Sequence, residues 1–380
     1  MRTRWAAYWL PRSLHPGAWW IWALGLAAAA SRTTNPLTLG LILAVAGFVV
    51  VARRGDAPWA LAFRLYLILG GFIVVMRVAY RVIFGGGEGP TVLVTLPEIP
   101  LPPWAAGIRL FGPVSLESLL GGFYDGLRLA TMVVCLGAAN ALANPKRLLK
   151  AVPGALYEVG SAVVVALSVF PQLTESVQRV RRARRLRGGA GSGRRALHGI
   201  VVPVLEDALD RSLQLAAAMD ARGYGRSGDT PRGVRLLTGT LTILGLIGVC
   251  VGVYGVLDGS APRTLGVPML LAGIAVAGAG FVVTGRRVRR TRYRPDRWRL
   301  AELVAAGSGV AVGVVLYLTS SIDPANINPT LKPLSWPQLS PYVVLGVLAG
   351  ALPAWLTPPP APSLPAAPVQ ADLRVKETVS

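Results

Sequence analysis

Apolar residues in this chain gather into long runs, separated by short segments where the charge collects. Runs fall at about 18–30, 37–52, 59–84, 122–142, 234–256, 266–284, 301–319 and 341–357. Runs of this kind suit a hydrocarbon core, which an α-helix of about 20 apolar residues spans. The reading is an all-α polytopic membrane protein with about eight transmembrane helices. A ninth apolar stretch runs from Ala155 to Phe170 and carries Glu158, which would be costly at a bilayer centre.

The connections sort by charge. Arg53 and Arg54 follow the second run, and Lys146, Arg147 and Lys150 follow the fourth. Arginines crowd 179–195, and eight more lie at 286–299 between the sixth and seventh runs. The alternate connections are poor in cations: Arg32, Arg109, Arg263 and Lys332 stand alone in theirs. Cytoplasmic loops carry the Lys and Arg excess, so the expected N-terminus is cytoplasmic, in a multi-pass protein of the cell (inner or plasma) membrane. Ala155–Phe170 has cations on both flanks and is therefore expected not to cross. Its place would be along the inner leaflet or packed beneath the other helices. A cleaved signal peptide over the first run is the weaker reading, because Trp19, Trp20 and Trp22 look like an interfacial anchor. The tail Pro358–Pro368 is Pro- and Ala-rich and reads as disordered.

Composition agrees. Of 380 residues 53% are hydrophobic, and 39 Lys and Arg against 18 Asp and Glu leave a formal net charge of +21. Such an excess could serve nucleic acid, anionic lipid or topology. The clusters fall between apolar runs, which favours membrane topology and lipid over nucleic acid. Cys135 and Cys250 each lie inside an apolar run, where a buried thiol is the ordinary expectation. With two His and two Cys far apart, no metal site is visible and no cofactor is implied.

The segment 171–233 is long for a loop and should have structure of its own. One helix continues through Gln172–Arg187, with Leu173, Val177, Val180 and Ala183 as its apolar stripe and Gly188 and Gly189 as its stop. A second is expected from about Val204 to Arg222, with Pro203 near its first turn and Leu205, Leu209, Leu213 and Ala216 as its stripe. Asp207 and Arg211 form an i,i+4 pair within it. The two helices finish alike, on Leu186-Arg187-Gly188 and Ala221-Arg222-Gly223. Arg in the last turn followed by Gly is also an ordinary helix ending, so spacing alone leaves a functional and a merely structural reading level.

The wording of this region carries further. Phe170-Pro171, then Arg181–Gly188, then Ala216–Gly225 with its Ala-Met-Asp-Ala-Arg-Gly-Tyr-Gly run, resemble the transmembrane T-component of energy-coupling factor (ECF) transporters, the EcfT/CbiQ family. Asn35-Pro36, Gly126–Leu129 and Asn144–Leu149 extend the likeness, which covers roughly residues 15–256. The first motif departs from the family pattern at Leu186, where the family usually has Ala. The resemblance implies a scaffold that holds two ABC ATPase subunits and a separate substrate-binding membrane S-component. It implies that Arg187 and Arg222, with Leu186, Gly188, Ala221 and Gly223 around them, each enter a groove on one ATPase. The transported substrate would be a vitamin or a transition-metal ion, chosen by the S-component. On this scheme residues 1–142 are N-terminal transmembrane helices and 143–233 a cytoplasmic coupling domain with a non-crossing apolar helix. Residues 234–256 close the family core, 257–357 are extra C-terminal transmembrane helices of unassigned role, and 358–380 are the tail.

Three other signals are weaker. Gly188–Arg194 has glycines at phosphate-loop spacing, but it lacks the Lys and the following Ser or Thr, and no strand precedes it. ATP hydrolysis is therefore expected of partners and not of this chain. Arg64, Arg77 and Arg81 on the third run, and Asp125 with Arg128 on the fourth, are best read as ions that snorkel or pair between helices. A secondary transporter with its own substrate path is the alternative function. That class usually shows repeated, broken helices and midplane acids, and neither an internal repeat nor such acids are apparent here.

Overall fold

A computed structural model describes residues 8–55, 62–84, 89–97, 99–100, 109–150, 157–186, 194–223, 232–257, 262, 264–287 and 296–360. The chain divides into two compact units, residues 1–148 with 295–380, and residues 149–294.

In the first unit the long helices are α1 (Pro16–Ser31), α2 (Pro36–Arg53), α3 (Phe63–Ile83), α4 (Leu116–Leu142) and, much later in the chain, α10 (Leu300–Ile322). α5 (Pro145–Lys150) is a single short turn after α4, and α11 (Pro324–Ile327) follows α10. The expected last run is a broken helix, α12 (Pro341–Ala349) and α13 (Pro353–Leu356). In the second unit lie α6 (Tyr157–Leu186), α7 (Arg194–Ala221), α8 (Arg232–Leu257) and α9 (Val267–Arg287).

Six helices among the described residues are long and apolar enough to cross a membrane: α2, α3, α4, α8, α10 and Val159–Leu186 of α6, with Val267–Val283 and Pro341–Leu356 as shorter apolar helices. The fold is all-α and polytopic, as the run pattern predicts. One addition was not anticipated. The connection between α3 and α4 holds two small antiparallel ladders, β1 (Val92–Thr95) with β4 (Pro113–Ser115), and β2 (Ile99–Pro100) with β3 (Arg109–Leu110). Phe111 (φ 63) and Gly112 (φ 112) make the left-handed turn between β3 and β4, and the Phe111 amide donates to Ile83 O at 2.7 Å, closing the end of α3. α4 starts six residues before the apolar run, capped by the Ser115 hydroxyl, which accepts from the Ser118 amide.

The core of the first unit is built on small residues. α1 and α10 touch backbone to backbone. A Cβ on Gly25 would lie 2.2 Å from Gly309 O, and one on Gly309 would lie 2.3 Å from Trp22 O. Such close approach is how helices gain contact area where lipid supplies no hydrophobic drive. Trp22 is fully buried and its indole donates to Gly350 O at 2.9 Å. Trp19 is also buried and sits edge-on to Trp22 at 5.9 Å. These two indoles are therefore core packing and not the interfacial anchor expected of them. They face inward because α4 and, from the far end of the chain, α10 cover α1.

Polar ties mark the two ends of this unit. At one end, Arg12 makes a two-pronged contact with Glu302 at 2.6 and 3.2 Å, and its amide donates to Pro359 O. At the same end Arg53 donates to Pro353 O and Ala354 O. Arg147 reaches Ser13 and pairs with Asp296 at 2.9 Å. Pro358 is buried, so the first residues of the expected disordered tail are packed, while 361–380 lie outside the described residues. At the opposite end, Thr33 donates to Ile327 O, and Asn35 donates to Asn326 O and Gln338 O while capping α2. With Arg12–Glu302 at their starts and Thr33–Ile327 past their ends, α1 and α10 run parallel.

In the second unit α8 and α9 form an antiparallel pair joined by glycines. A Cβ on Gly245 would lie 2.4 Å from Ala277 N, and one on Gly252 would lie 2.4 Å from Leu270 N.

Candidate functional site: the α6–α7 helix pair and its tips

α6 is one continuous helix that joins the apolar stretch to the arginine-rich segment, with Pro171 inside it. α7 begins at Arg194, ten residues earlier than expected, so Pro203 lies within the helix and not in its first turn. A helical proline lacks an N–H and crowds the carbonyl four residues back. The apolar residues Leu197, Ile200, Val201 and Val202 favour continuing the helix through the proline.

The two helices run antiparallel about one polar crossing. The Ser176 hydroxyl donates to Asp207 at 2.7 Å. Arg211 donates to the other carboxylate oxygen at 3.1 Å and reaches Gln172 at 3.4 Å. Arg179 approaches Asp207 at 3.8 Å. Further along, a Cβ on Gly199 would lie 3.2 Å from the Arg184 guanidinium. Ser176 and Val204 are the buried residues of the crossing. The hydrogen bond from Ser176, then the bond and charge of Arg211, hold the Asp207 carboxyl below the ordinary aspartate value. The i,i+4 pair expected from spacing is therefore present, and it gains a cross-helix partner in Ser176 that no spacing rule suggested.

The predicted leucine stripe of α7 does not pack against α6. Leu205, Leu209 and Leu213 are 55%, 62% and 68% exposed. On α6, Phe170 is 68% exposed. The crossing centres on Ser176 and Val204, with Leu173, Val177 and Val180 of α6 half-buried, while the α7 leucines face outward.

Of the predicted tip residues, Leu186 is the last residue of α6 and is 89% exposed. Arg187 and Gly188 lie outside the described residues. At the other tip, Ala221, Arg222 and Gly223 are all exposed. The Arg222 amide donates to Met219 O and the Gly223 amide to Asp220 O, and Gly223 takes φ +71. A left-handed glycine just past the last turn ends a helix without the Cβ clash another residue would meet. Antiparallel pairing sets the two ends apart. Leu186 lies level with about residue 197, so the tips are separated by 24 residues of α7, about 36 Å at 1.5 Å per residue.

The other motif residues serve packing. Asn35 caps α2 and ties it to Asn326 and Gln338. Asn144 accepts from the Arg147 amide at 3.4 Å. A Cβ on Gly126 would lie 3.0 Å from Val74 Cα. Asp125 pairs with Arg128 at 3.6 Å and across to Arg81 at 3.5 Å, the inter-helix pairing expected of these ions. No cluster of three or more His, Cys, Asp or Glu that could hold a metal occurs among the described residues.

A bundle of apolar helices and, in the other unit, a long polar-crossed helix pair belong to a multi-pass membrane protein. Residues 9–231 match the family model described as cobalt transport protein, CbiQ. The chain belongs to that family, the T-components of ECF transporters. Residues 204–357 match a second model, a family of unknown function, DUF1129. No curated protein matches the chain.

Proposed function

We propose that the chain is the coupling scaffold of an ECF-type importer, linking ATP binding and hydrolysis on two partner ABC ATPases to uptake through an S-component. One observation carries this reading: two long antiparallel helices whose tips are exposed and lie about 36 Å apart, so that two partners could be engaged at once. Arg222 is the contact at one tip and Arg187 at the other. Guanidinium stays charged and makes paired hydrogen bonds to carboxylates in a groove. Gly223 and Gly188 let the partner approach the backbone. The partners supply hydrolysis, and the substrate is a vitamin or a transition-metal ion.

Chain parity supports a cytoplasmic position for the pair. Arg147 and Asp296 bond within one unit, so residues 149–294 leave and return at one end, and their crossings come in an even number. The apolar hairpin of α8 and α9 supplies two. α7, carrying Arg194, Arg195, Glu206, Asp207, Asp210, Arg211 and Asp220, is too polar to cross. A crossing by α6 alone would make the number odd. On this reading α6 does not cross despite its length and apolar half, and the arginine excess of 179–195 assigns the pair, together with the N-terminus, to the cytoplasmic side.

Tagged protein should bring down both ATPases, and Arg187→Glu with Arg222→Glu should abolish that complex and uptake while leaving the protein monodisperse. An intact complex in the double variant would overturn the reading. In a background lacking Cys135 and Cys250, Ser212→Cys should react with an impermeant thiol reagent only after the cytosolic side is opened.

A further inference from the structure

The seam between α3 and α4 carries an unbalanced charge cluster in the membrane zone. Arg77 and Arg81 stand one turn apart on α3, and Arg128 stands on α4, with Asp125 as the carboxylate among them. Asp125 is shared by Arg81 at 3.5 Å and Arg128 at 3.6 Å. Arg77 is exposed and has no hydrogen bond or ion pair among the described residues. Glycines press the helices together here: a Cβ on Gly122 would lie 2.8 Å from Arg81 Cγ, and one on Gly126 would lie 3.1 Å from Arg77 Cβ. The aliphatic stems are thereby held against α4 while the charged heads are left on the outer surface.

Depth matters. α3 has 21 residues, about 31 Å at 1.5 Å per residue, which matches the hydrocarbon thickness. Arg81 sits at the rim of that layer, and Arg77 lies six residues in from the helix end, about 9 Å. The residues around them face lipid: Phe72, Val75, Met76 and Tyr80 are all more than half exposed. Tyr80 stacks on Phe84 at 4.4 Å, an aromatic pair at the depth where rings settle at a membrane interface. Three guanidiniums against one carboxylate leave excess positive charge there, and an anion offsets it, because an unpaired cation below the headgroups is expensive.

We propose that this seam is a binding site for the phosphodiester headgroup of one anionic phospholipid. Arg77 and Arg81, whose stems lie against α4, reach the phosphate at the rim, and Asp125 holds Arg81 and Arg128 together behind them. Arg81 lies at the rim and Arg77 reaches it by extending its side chain outward, which is where the phosphate of a lipid seated against α3 sits.

The test uses the full chain, purified from membranes and exchanged into nanodiscs of phosphatidylcholine alone or doped with phosphatidylglycerol. Lipid retained after detergent extraction is counted by native mass spectrometry. Wild type should retain one phosphatidylglycerol in preference to phosphatidylcholine. Arg77→Gln with Arg81→Gln should weaken that retention roughly thirtyfold, at about fivefold per arginine. Arg64→Gln, which removes a cation from the far end of the same helix, should leave it unchanged. Equal retention of both lipids by wild type, or loss of retention in Arg64→Gln as large as in the double variant, would overturn the site. So would a photo-crosslinker at position 77 that captures a protein subunit and no lipid. Circular dichroism checks that the double variant is folded; if it is not, Arg77→Gln alone, at an exposed position, is read in the same way.

Discussion

The two units of this chain use apolar residues in opposite ways. In the first, α2, α4 and α10 bury 39%, 44% and 39% of their membrane windows inside the protein, whereas α6 and α8 of the second bury 6% and 17% of theirs. The first unit looks inward, packing glycine, alanine and tryptophan from both ends of the chain into one core. The second is two helix pairs, each held along a single seam, with its large side chains outward. On the proposed coupling role this arrangement is an advantage: the unit holds its own shape through a few backbone-close or polar contacts and keeps apolar faces available. α3 is the exception in the first unit, 6% buried, and it is the helix that carries the lipid-facing arginines.

The comparison breaks most severely at the α1–α10 contact. Gly309→Leu would place a side chain into Trp22 backbone at 2.3–2.4 Å, where no rotamer change helps and the helices must part. Overpacking of this kind should cost more than about 3 kcal/mol. The expected outcome is loss of monodisperse protein in gel filtration, with the α10–α13 region no longer protected from proteolysis.

Next in size is the ion pair that joins the N-terminal segment to α10. Glu302 is 1% exposed and Arg12 22% exposed on the side chain. Arg12→Ala leaves a buried carboxylate without its partner and should cost about 3–5 kcal/mol. Adding Glu302→Gln should restore much of that loss in thermal unfolding. A double variant no better than the single would show that the pair does not act as a unit.

Much of this was legible from the sequence, and the failures share a cause. The second run, expected at 37–52, folds as Pro36–Arg53, because Asn35-Pro36 is a strong start signal and Arg53-Arg54 a strong end. The Arg222–Gly223 ending was legible for the same local reason. Three things were not. The start of α7 was hidden by Pro203, because a proline reads as a first-turn residue and here the helix runs through it. The inward-facing Trp19 and Trp22 were misread because the helix that covers them lies almost 300 residues further on. The Ser176–Asp207 bond joins two helices, and a serine on a helix face carries no local mark. Local capping and hydropathy could be read; contacts between distant segments could not.

The polar crossing of α6 and α7 should break more gently than either contact of the first unit. Asp207→Asn removes the one carboxylate charge that Arg211 and Arg179 both meet and weakens the pair without opening a cavity. The same contact sets a pH dependence. Because Asp207 titrates below its unfolded value of 3.8, its stabilisation is complete above that value and is lost as pH falls through the lower, folded one. Wild type should therefore show acid loosening of the helix pair only below the ordinary aspartate range, read as rising hydrogen exchange at residues 172–211. In Asp207→Asn that acid step should be missing.

The smallest expected effect on stability is the most informative about the second unit. Leu205, Leu209 and Leu213 are more than half exposed, so changing all three to Ser removes little packing and should move unfolding free energy by less than about 0.5 kcal/mol per site. The same change at Leu39, which is fully buried, should cost several times more, of the order of 2–5 kcal/mol. If the stripe is kept for a partner, the triple variant keeps its melting temperature and loses assembly with the membrane and ATPase subunits. A large drop in melting temperature of the isolated chain would mean instead that the stripe packs within the protein. The contrast between an inward-looking and an outward-looking unit would then be wrong at the helix on which it most depends.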